Sequence, residues 1–315
     1  MSIALQIKHM EEEKRFLEID AQKIAGLKGE LLKDEPMSKH TSWRVGGPAD
    51  YFFKPTDVED LSRFLAAVPE IPVYWVGLGS NLLVRDGGIR GVVILTSGLL
   101  NEIAFIGEGR FRVEAGVACA KVARFVAKLN FVGCEFLAGI PGTIGGALAM
   151  NAGAFGGETW QKVIAVETMD REGKTYLRTP EEFQVAYRQV KGPEGEWFIA
   201  GHFQFEAGDG EKTLRDMKEL LAKRNASQPT SQPSCGSVFR NPDNSYAAQL
   251  IEQAGLKGKC IGGACVSEKH ANFIVNTGNA TASDIETLIA FVAETVKQVH
   301  GVELMREAHI MGEKK

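Results

Sequence analysis

The 315 residues exceed the roughly 100–200 of a usual single core, so two or three domains around a shared ligand site are expected. With 44% apolar residues, 24% charged residues and a net charge of −4, the chain has an ordinary globular composition and no broad basic field, which excludes a nucleic-acid role from the expectation. No apolar run approaches the ~20 residues a membrane helix needs, and residues 1–36 mix charge with apolar positions rather than forming a secretory leader.

Residues up to about 33 read as one or two short helices, stopped by Pro36. Asp57 can cap a helix with an apolar face of Val58, Leu61, Phe64, Leu65 and Val68, and the β-rich run 73–76 follows Pro69 and Pro72. Residues 82–84 and 92–95 read as two strands joined through Asp86-Gly87-Gly88. A strand pair at 103–113 precedes a helix at 117–129, which carries Cys119, Val122, Phe125, Val126 and Leu129. Residues 138–157 hold so many glycines, each costing a helix roughly 0.5–1 kcal/mol, that a shaped loop is expected there. Strands at 163–169, 176–178 and 197–205, then a charged helix at 211–225, lead to the polar, proline-containing boundary 227–233. The last helix has Ser283 and Glu286 as its expected capping box and a buried stripe of Ile285, Leu288, Ile289, Val292, Val296 and Val299.

The division this implies is a helical segment 1–38, a cofactor domain 39–210, a linker helix 211–226, a smaller α+β substrate domain 227–300 and a tail 301–315. The five cysteines (Cys119, Cys134, Cys235, Cys260, Cys265) are odd in number and form no C-x-x-C, which argues against a disulfide framework or structural zinc and for a reducing, cytoplasmic setting. No metal site is expected.

Two glycine-rich segments carry the functional signal. Gly77, Leu78, Gly79, Ser80, Asn81 and Leu82 follow a strand, and without Cβ atoms such a backbone can turn several N–H groups onto a phosphate. A dinucleotide of the Rossmann type would need glycine at position 82 and a helix next, yet β-type residues follow, and no P-loop is present. The second segment, with Gly139, Ile140, Pro141, Gly142, Gly145, Gly146, Ala147 and Asn151, lets backbone approach a bulky cofactor without side-chain clash.

Together with residues 41–49 (TSWRVGGPA) and 236–242 (GSVFRNP), these segments resemble the ordered motifs of the UDP-N-acetylenolpyruvoylglucosamine reductase family over residues 39–312. The resemblance implies an α+β fold: an FAD-binding domain of the vanillyl-alcohol-oxidase/p-cresol methylhydroxylase type with a smaller substrate domain. It implies non-covalent FAD, NADPH as reductant, and reduction of UDP-N-acetylglucosamine enolpyruvate to UDP-N-acetylmuramate in peptidoglycan precursor synthesis. By position it implies Ser237 as proton donor, Arg188 and Glu307 as the pair at the substrate carboxylate, and Asn241, Lys257 and His270 near the UDP and sugar portions. The short connection between Arg188 and Ser237 matches the subtype without an inserted tyrosine-bearing loop. Val190 stands where serine is common in the family, and His309 where arginine is usual. Two other readings are open at this point: an oxidase of the same fold with a tethered flavin, and a nucleotide-binding module without turnover. All six histidines (His9, His40, His202, His270, His300, His309) lie outside both glycine segments, which disfavours the tether. A monomer is the expected state.

Overall fold

In a computed structural model, which describes residues 18–315, a four-stranded sheet runs in the order Glu30–Pro36, Pro48–Lys54, Ile89–Leu95, Val73–Val76. The first pair is antiparallel and the others are parallel. The helix Val58–Ala67 starts where Asp57 accepts the Asp60 N–H, and it packs Leu61, Phe64 and Leu65 on Phe53, Val92 and Ile94. Residues 30–36 are a strand, not the expected end of a helical segment. Their backbone pairs along Pro48–Lys54, and this tertiary pairing overrides the helix-favouring Leu and Lys side chains. The part of the helical expectation on residues 1–17 lies outside the described residues.

A second, antiparallel sheet runs Thr175–Arg178, Val163–Met169, Trp197–Gln204, Arg110–Glu114, Ile103–Gly107. Helix Cys119–Lys128 buries Val122, Ala123 and Val126 against Phe111 and Phe203 of this sheet. On three neighbouring strands, Glu167 accepts from both Arg112 Nε at 2.7 Å and His202 Nε2 at 2.8 Å. Burial raises the Glu167 carboxyl, but these two hydrogen bonds and charges outweigh it and leave the pKa at about 2. A folded-state value below the unfolded one stabilises above pH ~4.5 and is lost as pH falls toward 2, so about 2–3 kcal/mol should disappear across that window. Urea titrations at pH 6 and pH 3 should show a larger fall for the wild type than for Glu167→Gln; equal falls would refute the assignment.

The expected strands at 82–84 and 92–95 both form, but they do not pair. Leu82–Val84 lies parallel to His309–Met311 of the tail, while Ile89–Leu95 sits inside the first sheet. The 138–157 segment is not all loop: Ile144–Met150 is helical. Ile144, Ala147 and Leu148 are buried there, and a Cβ on Gly145 would come within 2.9 Å of the Ala115 Cβ. Close packing of this helix therefore offsets the glycine cost that the sequence alone suggests.

Helix Gly210–Ser227 leads to the last unit, a three-stranded sheet of Cys260–Ile261, Ala264–Val266 and Ile274–Asn276 under helix Ala282–His300. That helix is capped two residues earlier than expected: Thr281 Oγ1 accepts the Asp284 N–H while Asp284 accepts the Thr281 N–H. Ser283 N–H donates instead to Asp86, and Glu286 is bidentate with Arg85, so both serve the contact to the cofactor unit. Val299 is 57% exposed. His300, not Val299, continues the i, i+4 row from Val292 and Val296, and its ring meets the Leu250 carbonyl at 3.1 Å.

Cys260 and Cys265 form a disulfide, against the expectation from cysteine count. They are direct cross-strand partners in a hairpin turned by Gly262-Gly263, with Cα atoms 4.1 Å apart. The bridge is thus a local product of register, not a framework joining distant segments. Cys119, Cys134 and Cys235 are free and buried.

Candidate active site

The three units meet at a cleft of about 730 Å3. Residues 77–82 line it from one side, and Gly139, Ile140, Pro141, Gly142, Gly146 and Ala147 from the other. The two segments pack on each other: a Cβ at Gly77 would overlap Thr143 Oγ1, and one at Gly142 would reach Ser80 Oγ at 3.2 Å. A strand, Leu82–Val84, follows the first loop, which agrees with the absence of a Rossmann turn.

Of the residues expected at the cofactor, Gly145 and Asn151 do not line the cleft. Gly145 faces Ala115, for the packing reason given above. Asn151 is buried with φ at 45°, where its amide donates to Glu158 at 2.9 Å and its Oδ1 accepts the Trp160 N–H at 3.1 Å. Its side chain ties the glycine segment to the next turn.

Arg188, Ser237 and Glu307 all line the cleft, from three different elements. Arg188 occupies the tip of the hairpin Gln184–Ala186/Gln189–Lys191 with φ at 55°, the left-handed conformation that a two-residue hairpin turn requires. Its Nε donates to Glu307 Oε1 at 2.8 Å, and Nη2 donates to the Gly153 carbonyl at 3.2 Å. Glu307 is fixed through its backbone: its N–H donates to Val238 O at 2.8 Å, and Asn81 Nδ2 donates to its carbonyl at 3.0 Å. The first glycine loop, the Ser237 loop and the tail are therefore one hydrogen-bonded unit. Burial pushes the Glu307 carboxyl above the usual carboxylate value, against the pull of Arg188 and Arg240. Burial and the nearby Glu307 also raise the Cys235 thiol, which lines the cleft beside Ser237.

Among the expected substrate contacts, Asn241 lines the cleft and its Oδ1 accepts the Ala247 N–H at 3.1 Å. Lys257 does not; its Nζ is 2.7 Å from Glu252 Oε1 at the surface. His270 stands one layer back, edge-on to Phe273, which itself lines the wall. Burial lowers the His270 pKa.

Sequence reasoning missed Trp75, Thr143, Phe155, Tyr187, Lys223, Arg224 and, as a cleft residue, His309. A signal existed for the last: Glu307, His309 and Met311 recur every second residue, the period of a strand, and all three face the cleft. Lys223 and Arg224 carried none, because only the docking of their helix brings them to the cleft, where Arg224 donates to the Gly139 carbonyl.

The site fits a flavin dinucleotide. Thr143 Oγ1 and Trp75 Nε1, on two residues that line the cleft, are buried with no hydrogen-bond partner among the described residues. In the second segment the Gly139 and Gly142 N–H groups already donate to Phe136 O and Ile140 O, so it is the backbone of the first loop, where no such bond forms among the described residues, that can offer N–H groups to a pyrophosphate. Fold and cleft together define an FAD-binding oxidoreductase.

Comparison with known proteins agrees. Residues 49–177 match the FAD binding domain family, and residues 228–311 match the UDP-N-acetylenolpyruvoylglucosamine reductase C-terminal domain. The UDP-N-acetylenolpyruvoylglucosamine reductase of Methylococcus capsulatus is 58% identical over 294 residues, 93% of this chain and 97% of the relative. That of Legionella pneumophila is 54% identical over 297 residues, covering 94% and 96%. The crystal structure of the Thermus caldophilus enzyme superposes with a TM-score of 0.77 at 32% identity, over 90% of this chain and 99% of that one. The chain belongs to the UDP-N-acetylenolpyruvoylglucosamine reductase family.

Proposed function

We propose that Arg188, Ser237 and Glu307 carry out the proton-transfer half of UDP-N-acetylglucosamine enolpyruvate reduction, with NADPH as the reductant. The carrying observation is the 2.8 Å Arg188–Glu307 pair, in the same cleft as the Ser237 hydroxyl and both glycine loops. Bound FAD supplies the hydride. Hydride arrival at the enolpyruvyl C3 leaves negative charge on C2 and its carboxylate, and a guanidinium held there in advance stabilises it. Ser237 then delivers the proton to C2.

A serine hydroxyl is a weak acid, so its loss of a proton must be matched by a neighbour. Glu307 supplies that neighbour. When the substrate carboxylate takes the Arg188 guanidinium, the remaining burial favours the protonated Glu307 carboxyl, which can restore the serine proton directly or through water. Asn241 faces the nucleotide portion; Lys257 and His270 are not assigned a contact.

The same reading takes the FAD as non-covalent, so denaturation should release yellow flavin. It divides the chain into a cofactor domain 39–210, a linker helix 211–226, a substrate domain 227–300 and a catalytic tail. It also takes the protein as a cytoplasmic monomer; among the described residues no helix is long and apolar enough to cross a membrane. Anaerobic mixing tests the whole scheme. NADPH should bleach the yellow protein and the enolpyruvyl nucleotide should return the colour; a protein that bleaches but is not reoxidised by that nucleotide would refute it.

A further inference from the structure

We propose that Arg240 is a positioning residue for this reaction, clamping the Arg188 hairpin to the Ser237 loop and to the Glu307 tail. The inference rests on the catalytic reading above. Arg240 Nη2 donates to the Arg188 carbonyl at 3.1 Å, and Arg240 N–H donates to the Met305 carbonyl at 2.9 Å. Phe239, one residue before it, bridges Arg306, one residue before Glu307. A single residue thus touches the hairpin, belongs to the loop and holds the tail.

The hairpin needs such a hold. Val190 packs the base of the hairpin on the core, but Tyr187 at its tip is exposed, so apolar packing does not fix the turn that carries Arg188. The left-handed backbone of Arg188 costs on the order of 1 kcal/mol and persists only where surroundings enforce it. A donor on the Arg188 carbonyl fixes the orientation of that peptide and hence the direction in which the Arg188 side chain leaves the turn. The Nε of Arg240 is buried with no partner among the described residues, while its Nη2 holds the Arg188 backbone. Glu307, hydrogen-bonded to Arg188, is also within electrostatic reach of Arg240, so one acidic group faces both cations.

Arg240 also sets the charge balance at Glu307. The charged and titratable groups that act on that carboxyl are Arg188 from the hairpin and Arg240 and Cys235 from the loop, while His309, two residues along the tail, lines the same cleft. Only Arg188 and Arg240 pull its pKa down against burial. Removing Arg240 therefore moves any pH limb governed by Glu307 to higher pH.

The test uses holoenzyme carrying Arg240→Met or Arg240→Lys, with NADPH reduction and substrate reoxidation of the flavin followed separately by stopped flow. Arg240→Met should slow reoxidation at saturating substrate about tenfold, which is about 1.4 kcal/mol of barrier. It should shift the Glu307 limb upward and leave the reduction step and flavin content at wild-type values. Arg240→Lys should restore the pH limb, because it returns the charge, but only part of the rate, because an ammonium lacks the guanidinium fork. An unchanged limb in Arg240→Met, or a rate loss that merely follows a fall in flavin content or melting temperature, would overturn the proposal. Ser237→Ala and Glu307→Gln serve as references: full reoxidation in those variants would sink the catalytic reading itself, whereas their loss beside an unchanged Arg240→Met limb would sink only the role of Arg240.

Discussion

Ser237→Ala is expected to slow reoxidation of the reduced flavin by the enolpyruvyl nucleotide by about 10²–10⁴-fold, the usual span for removing a placed proton donor. Reduction by NADPH should stay within about twofold of wild type, because the hydroxyl has no part in the step that precedes proton delivery. The split matters more than the size. Ser237 is half-buried in a loop whose backbone is pinned just after it by one residue: Val238 N–H donates to Asn272 O at 2.9 Å, and Phe239 N–H to Asn272 Oδ1 at 3.0 Å. Removing one oxygen from a loop held through its backbone leaves the fold intact, so a melting temperature near wild type should accompany the lost step. Rapid mixing with each reactant in turn makes the measurement. Equal slowing of both half-reactions would point to a distorted flavin site, and no slowing of the second would remove Ser237 from the mechanism.

How far the sequence could have led to this site differs from residue to residue. The helix Val58–Ala67 was legible because its cap and its apolar stripe are local properties, read within one turn of Asp57. The helix Ile144–Met150 was not. Its glycines count against it locally, and the favourable contact of Gly145 is with Ala115, some distance back along the chain. The strand Glu30–Pro36 is similar: its partner, Pro48–Lys54, decides its state.

At the site, glycines that line the cleft announce themselves by composition, whereas Asn151 and Gly145 share that composition and serve packing instead. The catalytic trio came from family resemblance. Nothing in the local sequence says that the Arg188 and Glu307 side chains meet, since they are brought together by a hairpin tip and a tail strand paired to Leu82–Val84. Lys257 is the opposite case. A lysine among glycines suits a phosphate in principle, but here Glu252 on the neighbouring helix takes its charge.

Gly79→Ala should nearly abolish FAD retention, with an affinity loss of at least about 100-fold, or roughly 2.7 kcal/mol. Two effects add at this position. The backbone has φ at 65°, where an L-residue with a Cβ costs about 1–2 kcal/mol. The added Cβ would also overlap the His40 carbonyl oxygen and lie 3.0 Å from the Thr41 Cα, and backbone atoms cannot rotate away as a side chain could. The loop must therefore move outward, which breaks the Ser42 N–H bond to the Gly79 carbonyl at 3.1 Å and withdraws the N–H groups meant for the pyrophosphate. Gly146→Ala provides the contrast. Position 146 is helical and open to the cleft, and its added Cβ meets nothing in the protein closer than Thr143 Oγ1 at 3.9 Å. Apo protein with Gly146→Ala should melt at or above the wild-type temperature, since alanine favours a helix over glycine by about 0.8–1 kcal/mol, while its methyl group reduces FAD affinity from the cleft side. Flavin titration of the two apo variants separates the causes: Gly79→Ala loses cofactor and stability together, and Gly146→Ala loses cofactor alone. Wild-type flavin affinity in Gly79→Ala would show that the 77–82 loop is not the pyrophosphate cradle.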